Sequence, residues 1–282
     1  MNRNNLFTKV SFILGFMICL FPLLSNLIEG VKAKDLLKTY DLSINSISKE
    51  DKSVEINKAI EYNKILNNPN LALSNGNSTI LSEDSYNSIL NAGNGVIGSI
   101  EIPKIGVNLP IYHGTSDEVL SSGVGHLFGS SFPVGGESTR SILTGHRGLP
   151  SAKLFTRLDE VELGDLFFIK VFGKTLAYSV NDKIVIEPSE LEKLGVVEGE
   201  DLVTLVTCTP YGVNTHRLIV TGKQVPFTET EYKSIKQKSM SFRELLFIGI
   251  PFIFLGILVV SKVIRNRKHS ILKEDEDIEI TF

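Results

Sequence analysis

The chain is short of cysteine, of one-signed charge runs and of ligand-type clusters, and each shortage closes off a class of function. Only Cys19 and Cys208 occur in 282 residues. Cys19 lies inside an apolar N-terminal stretch, so Cys208 has no soluble partner for a structural disulfide. Lys and Arg number 29 against 32 Asp and Glu, a formal charge of -3, and the central region has no basic run. Nucleic acid is therefore not an expected partner. The acidic residues are scattered and no His/Cys set has metal-ligand spacing, so neither a metal nor another cofactor is expected. There is no internal repeat. No long helical crossover separates the strand-like segments, which argues for an antiparallel barrel or sandwich over a parallel sheet.

Apolar sequence is plentiful at both ends. Leu245 to Val260 carries no charge and continues through Ser261 and Lys262 to Ile264. A helix needs about 20 mostly apolar residues to cross a bilayer, and Lys262 can snorkel. Lys262, Arg265, Arg267 and Lys268 mark that end as cytoplasmic by the positive-inside rule. The N-terminal run Val10 to Ile28 follows Arg3 and Lys9 and reads as an anchor. Val31-Lys32-Ala33 offers the alternative of a cleaved signal. The expected organisation is an anchor or signal segment over 1–30, a helical region over 31–92 and a β-domain over 93–226. A linker over 227–244, a transmembrane helix over 245–264 and an acidic cytoplasmic tail over 265–282 complete it. About 200 residues are left outside the cytoplasm, enough for one sizeable core.

Asp35 to Leu66 reads as helical, with Ile56, Ala59, Ile60 and Asn63 on one face. Asn67 to Ser85, rich in Asn, Ser and Gly, reads as loop, and a short helix over 84–91 follows. Strand signals cover 97–102, 109–112, 140–144, 166–172, 174–180, 183–187, 202–207 and 217–222. Ser151 to Leu158 is expected to be a helix, with Leu154, Phe155 and Leu158 on one face.

Cys208 ends the β-branched run Leu202-Val-Thr-Leu-Val-Thr-Cys208. The turn-rich Thr209-Pro-Tyr-Gly-Val-Asn-Thr-His216 follows, and Arg217 opens the next strand-like run. A thiol at a strand end facing Arg across a hairpin suits acyl transfer, because a guanidinium can donate to a developing oxyanion. A cysteine nucleophile also needs a proton-transfer partner. His146 follows a strand between Gly145 and Gly148, His126 lies in a glycine-rich loop, and His113 precedes Gly114. His216 adjoins Arg217, so strand alternation sends it to the opposite face. The pattern ranks His146 ahead of His126.

Several motifs together resemble a known family. Thr204-Leu-Val-Thr-Cys208 is similar to the sortase signature. Thr209-Pro-Tyr-Gly-Val-Asn-Thr-His-Arg217, Leu143-Thr-Gly-His-Arg-Gly-Leu-Pro150, Gly98-Ser-Ile-Glu-Ile-Pro-Lys-Ile105 and Leu109-Pro-Ile-Tyr-His-Gly-Thr115 resemble the class C, pilus-building sortases. The resemblance spans about residues 40 to 225. It implies a mainly β fold, an eight-stranded sortase-type β-barrel with a few short helices, an N-terminal helical region and flanking membrane segments. It implies His146, Cys208 and Arg217 as the catalytic set, with Thr207 and Thr209 lining the substrate groove. The implied substrates are pilins or surface proteins carrying an LPxTG-like sorting signal. A Cys208 thioester forms at the signal threonine and passes to a lysine amine of another pilin. Attachment to cell-wall peptide amines is the alternative outcome, and a membrane-tethered β-domain with a merely packed Cys208 the non-enzymatic one. The chain departs from the class C pattern at the lid, which in that family carries Asp-Pro-aromatic. Over about 67–85 the nearest triplet is Asn68-Pro69-Asn70, so a degenerate lid is expected.

Overall fold

The structure, a computed structural model, describes residues 3–68, 80–92, 95–149, 152–235 and 242–279. From Val96 onward, short β-branched and aromatic segments pair into a closed barrel. Its strands are β1 (Val96–Ile102), β2 (Val107–His113), β3 (Val124–His126), β4 (Thr139–Thr144), β5 (Leu166–Val171), β6 (Lys174–Ile186), β7 (Asp201–Thr209) and β8 (His216–Val225). They close in the order β1-β2-β3-β4-β7-β8-β6-β5.

The expected number of strands is found, but by a different partition. The segments 174–180 and 183–187 form one strand, β6, which stays paired to β8 through a bulge between Val180 and Asp182. The short β3 is the added member; three residues are too few to show an alternation. The barrel is also not wholly antiparallel. β2 pairs β3 and β4 pairs β7 in parallel, because long segments return each chain to the same end of the barrel.

Alternate residues fill the interior: Ile100 and Ile102 of β1, Leu143 of β4, Phe167 and Ile169 of β5, Val203 and Leu205 of β7, Leu218 and Val220 of β8. Helices close the barrel. α1 (Arg3–Ser46) and α2 (Lys49–Leu66) divide the expected helix at Ser48, whose hydroxyl accepts from the Asp51 amide at 3.0 Å. Glu50 and Asp51 in the first turn suit the positive helix start. Tyr40 of α1 donates to the Ile97 carbonyl at 2.8 Å and accepts from the Phe172 amide at 3.2 Å. On α2, buried Asn63 both accepts from and donates to the Phe132 backbone, at 2.7 and 3.0 Å. α3 (Glu83–Ser88) places Tyr86 in the core. Residues 69–79, most of the expected degenerate lid, lie outside the described residues.

The expected helix over 151–158 is not formed. Residues 154–157 make a turn and Leu158–Glu160 one 3-10 turn. Leu154 takes a positive φ of 37°, which is incompatible with a continuing helix. Leu154, Phe155 and Leu158 are nevertheless buried, so the apolar pattern marked burial and not helix.

The chain divides into two compact units, Leu24–Ser239 and a second one made of Met1–Leu23 with Met240–Phe282. After the barrel, α4 (Asp117–Ser122, between β2 and β3) and α5 (Glu229–Ser234, after β8) complete the larger unit. The Tyr232 hydroxyl of α5 donates to Glu101 at 2.7 Å and accepts from Lys170 at 2.7 Å. In the second unit, the N-terminal part of α1 meets α6 (Phe242–Glu279). Phe12 faces Phe254 with ring centroids 6.4 Å apart, and Phe16 faces Phe252 at 6.1 Å. Leu14 and Ile18 on α1, and Ile253 and Ile257 on α6, are exposed. Val10–Ser46 contains a stretch long and apolar enough to cross a membrane.

Candidate active site

Strand alternation turns Cys208 away from the core. Val203 and Leu205 of β7 face inward, so Thr204, Val206 and Cys208 share the outer face. On β8, Leu218 and Val220 face inward, leaving Arg217, Ile219 and Thr221 outside. Cys208 stands directly opposite Arg217, Val206 opposite Ile219, and Thr204 opposite Thr221. Cys208 and Arg217 are both half-buried. The Arg217 Nη1 donates to the carbonyls of Asn214 and His216, at 3.2 and 3.0 Å. A guanidinium has five donors in a fixed fork, so Nε and Nη2 can still serve an incoming oxygen.

His146 reaches the same end of the barrel through β4. The β4–β7 register runs to Thr144 beside Val206. Beyond it, the Gly145 amide donates to the Val206 carbonyl at 3.0 Å, and the Thr207 hydroxyl donates to the Gly145 carbonyl at 2.7 Å. These two bonds keep the chain after β4 beside β7, and half-buried His146 is the next residue. The loop is held from behind: the Phe155 amide donates to the His146 carbonyl at 3.1 Å. A Cβ at position 145 would stand 2.7 Å from the Phe155 ring, so only glycine fits there. Gly148 takes a φ of +83° beneath the Tyr211 ring.

An apolar strip leads away from the thiol on the same face. Ile142, Val206 and Ile219 form a second hydrophobic cluster, covered in part by Leu127, Ile186, Leu191 and Leu194. Past it, Arg140 Nη1 donates to the Thr204 hydroxyl at 3.0 Å. Ile142, Val206 and Ile219 are themselves buried, so the surface offered to an extended apolar peptide beside the thiol is the half-buried layer of Leu127, Ile186, Leu191 and Leu194 over them. Among the described residues no trio of His, Cys, Asp or Glu is grouped to bind a metal.

The other expected residues fall elsewhere. His126 is fully buried, with Nδ1 2.9 Å from the Tyr86 hydroxyl and Nε2 2.9 Å from the Ser131 carbonyl. Desolvation pushes its pKa down to about 4. That ring is part of the core and cannot exchange protons with a substrate. His113 is held by the carbonyls of Gly95 and Ile89, at 3.2 and 2.8 Å. His216 is exposed and pairs with Thr209, one position out of step with Arg217. Thr207 does not line a groove: it is 1% exposed, on the face opposite Cys208, with its hydroxyl engaged by Gly145. Thr209 is half-buried and accepts from Arg147 Nη1 at 2.9 Å. Arg147 itself, unremarked in the sequence, is 7% exposed and also pairs with Asp159 at 2.9 Å.

Comparison with known proteins identifies the family and the fold. The sortase domain model matches residues 100–225. Sortase D of Bacillus subtilis is 30% identical over 131 residues, 45% of this chain; the chain spans 63% of that relative's length. Among solved structures, sortase C1 of Streptococcus agalactiae is 43% identical with a TM-score of 0.63, covering 69% of this chain and all (100%) of that one. Sortase C of Streptococcus pneumoniae, described in terms of catalysis and pilin substrate specificity, is 36% identical with a TM-score of 0.58, covering 69% of this chain and 98% of its own.

Proposed function

The chain belongs to the sortase family, and from that premise we propose that it is a membrane-anchored cysteine transpeptidase that joins pilin subunits. The observation that carries this reading is the directly opposed pair Cys208 and Arg217 beside an apolar cluster, and the loop that carries His146 leaves β4, which pairs β7, two residues before it.

In this reading the sorting signal lies extended over the half-buried Leu127, Ile186, Leu191 and Leu194, with its threonine carbonyl at Cys208. As the Cys208 sulfur attacks the carbonyl carbon its proton passes to His146, and the carbonyl π electrons move to oxygen. The free donors of Arg217 take up that charge. Collapse of the tetrahedral adduct breaks the Thr–Gly bond, and His146 supplies a proton to the departing glycine amine. A thioester remains on Cys208. A lysine amine of a second pilin then attacks the same carbon, His146 removes its proton and passes it to the departing sulfur, and the thiol is released as an isopeptide bond forms. The similarity to a structure described by its pilin specificity supports pilins as substrates.

Helix α1 and helix α6 act as two anchors that hold the barrel outside the cytoplasm, with the α6 end inside. The apolar, exposed side chains of both helices support this arrangement, and the basic residues after Val260 give its direction.

The test is incubation of the detergent-solubilised full chain with a peptide carrying Leu-Pro-Glu-Thr-Gly, followed by mass spectrometry. A mass increase on Cys208, absent in Cys208→Ala and discharged by a lysine-bearing pilin, is the expected result. Turnover by Cys208→Ala at the wild-type rate would overturn the reading.

A further inference from the structure

Arg147 follows His146 in the chain, and its partner Thr209 follows Cys208. The guanidinium is 7% exposed and spans three segments. Its Nη1 donates to Thr209 Oγ1 at 2.9 Å, and its Nη2 meets Asp159 Oδ2 at 2.9 Å. Asp159 lies in the 3-10 turn Leu158–Glu160, whose backbone is held in turn by Lys183 of β6, donating to the Asp159 carbonyl at 2.8 Å. Beyond Thr144 the regular β4–β7 ladder ends. The contacts that keep the two chains side by side past that point are the Gly145 and Thr207 bonds, then Arg147 to Thr209.

We infer that Arg147 is a positioning residue that sets the separation of His146 from Cys208, gripping the chain one residue beyond each of them and tying both to Asp159. This rests on the functional reading above. A buried fork with one hydroxyl and one carboxylate partner has little freedom, and the two residues it holds carry the reacting groups one backbone step away. Lysine could not do the same, because a point charge on a flexible stem cannot span two partners in one plane. The Arg147 side chain is only 7% exposed and engaged by Thr209 and Asp159, so its loss is expected in the chemical step and not in peptide binding.

The experiment uses the full chain in detergent and the Leu-Pro-Glu-Thr-Gly peptide, with thioester formation on Cys208 followed in single turnover. Arg147→Met is expected to slow thioester formation by about 100-fold, as a displacement near 1 Å at a reacting pair does, while KM for the peptide changes by less than about threefold. Thr209→Val, which keeps the shape and removes the acceptor, is expected to fall in the same direction. Thr209→Ser, which restores the hydroxyl, is expected to run several-fold faster than Thr209→Val. The double variant Arg147→Met/Thr209→Val is expected to be no slower than Arg147→Met alone, since both remove one contact. If Arg147→Met does not fold, the two Thr209 variants carry the test. Folded variants that acylate within about twofold of wild type, or that raise KM with an unchanged chemical rate, overturn the inference while leaving the functional reading intact. A wild-type chain that forms no thioester overturns the functional reading and this inference with it.

Discussion

Cys208 of β7 and Arg217 of β8 face each other directly across an antiparallel pair, while Thr209 and His216 one step further on point to the other face. The register thus selects which basic residue of the His216-Arg217 couple stands with the thiol. In the proposed mechanism Arg217 serves as a forked donor. Arg217→Lys is expected to lower kcat by about 100-fold, the usual loss on removing one oxyanion donor. Steady-state kinetics with a fluorogenic sorting peptide would measure it; an unchanged kcat would remove Arg217 from the chemistry.

The apolar strip beside the thiol makes a separate prediction. Leu191 is half-buried against Ile142, Val206 and Ile219. Leu191→Ser is expected to weaken binding of the sorting peptide by roughly 1.5 kcal/mol, about tenfold in KM, with little change in kcat. Equal KM values for the variant and the wild type would move the peptide off this face.

Gly145 is expected to resist substitution. A methyl group there would meet the Phe155 ring at 2.7 Å. Gly145→Ala should destabilise the fold by about 1–3 kcal/mol, as overpacking does. Adding Phe155→Leu should recover part of that loss, because the smaller side chain yields the space. Thermal melts of the single and double variants give the answer; additive losses would count against the contact.

Stability should fall in mild acid through His126. Burial pushes its pKa down to about 4 from the usual 6.5, so the unfolded chain takes up a proton that the folded one refuses. The contribution is complete above pH 6.5 and is lost as pH falls from there towards 4. It amounts to about 3 kcal/mol. His126→Asn should be less stable at neutral pH yet lose less on acidification than the wild type. Denaturant melts of both chains between pH 4.5 and 7.5 compare the slopes. Parallel slopes would mean that other groups carry the acid sensitivity.

Much of this was legible in the sequence where a period of two was unbroken. The run from Leu202 to Cys208 and the hairpin into Arg217 fixed which residues share a face, because each step along a strand turns the side chain over. By the same alternation Thr207 belongs to the interior with Leu205, and a motif that places it beside the cysteine says nothing about that direction. Pattern ranked His146 only modestly ahead of His126, since both stand near glycines after short apolar runs. What separates them is Tyr86, 40 residues before His126, which closes over its ring. Arg147 drew no reading of its own from the sequence because its partners, Thr209 and Asp159, are joined to it only by the fold. The helix expected over 151–158 failed at one backbone angle, at Leu154, which no side-chain pattern encodes.

Cys208 and Arg217 meet across a local hairpin, whereas the parallel pairing of β4 with β7 joins Thr139 to Asp201 and Thr144 to Val206, far apart in the chain. Contacts so distant along the chain form late, after the entropy of closing long loops has been overcome. A half-folded molecule therefore has the hairpin of Cys208 and Arg217 before β4 brings the loop of His146 alongside it. In the proposed mechanism the proton-transfer partner arrives only with closure of the barrel.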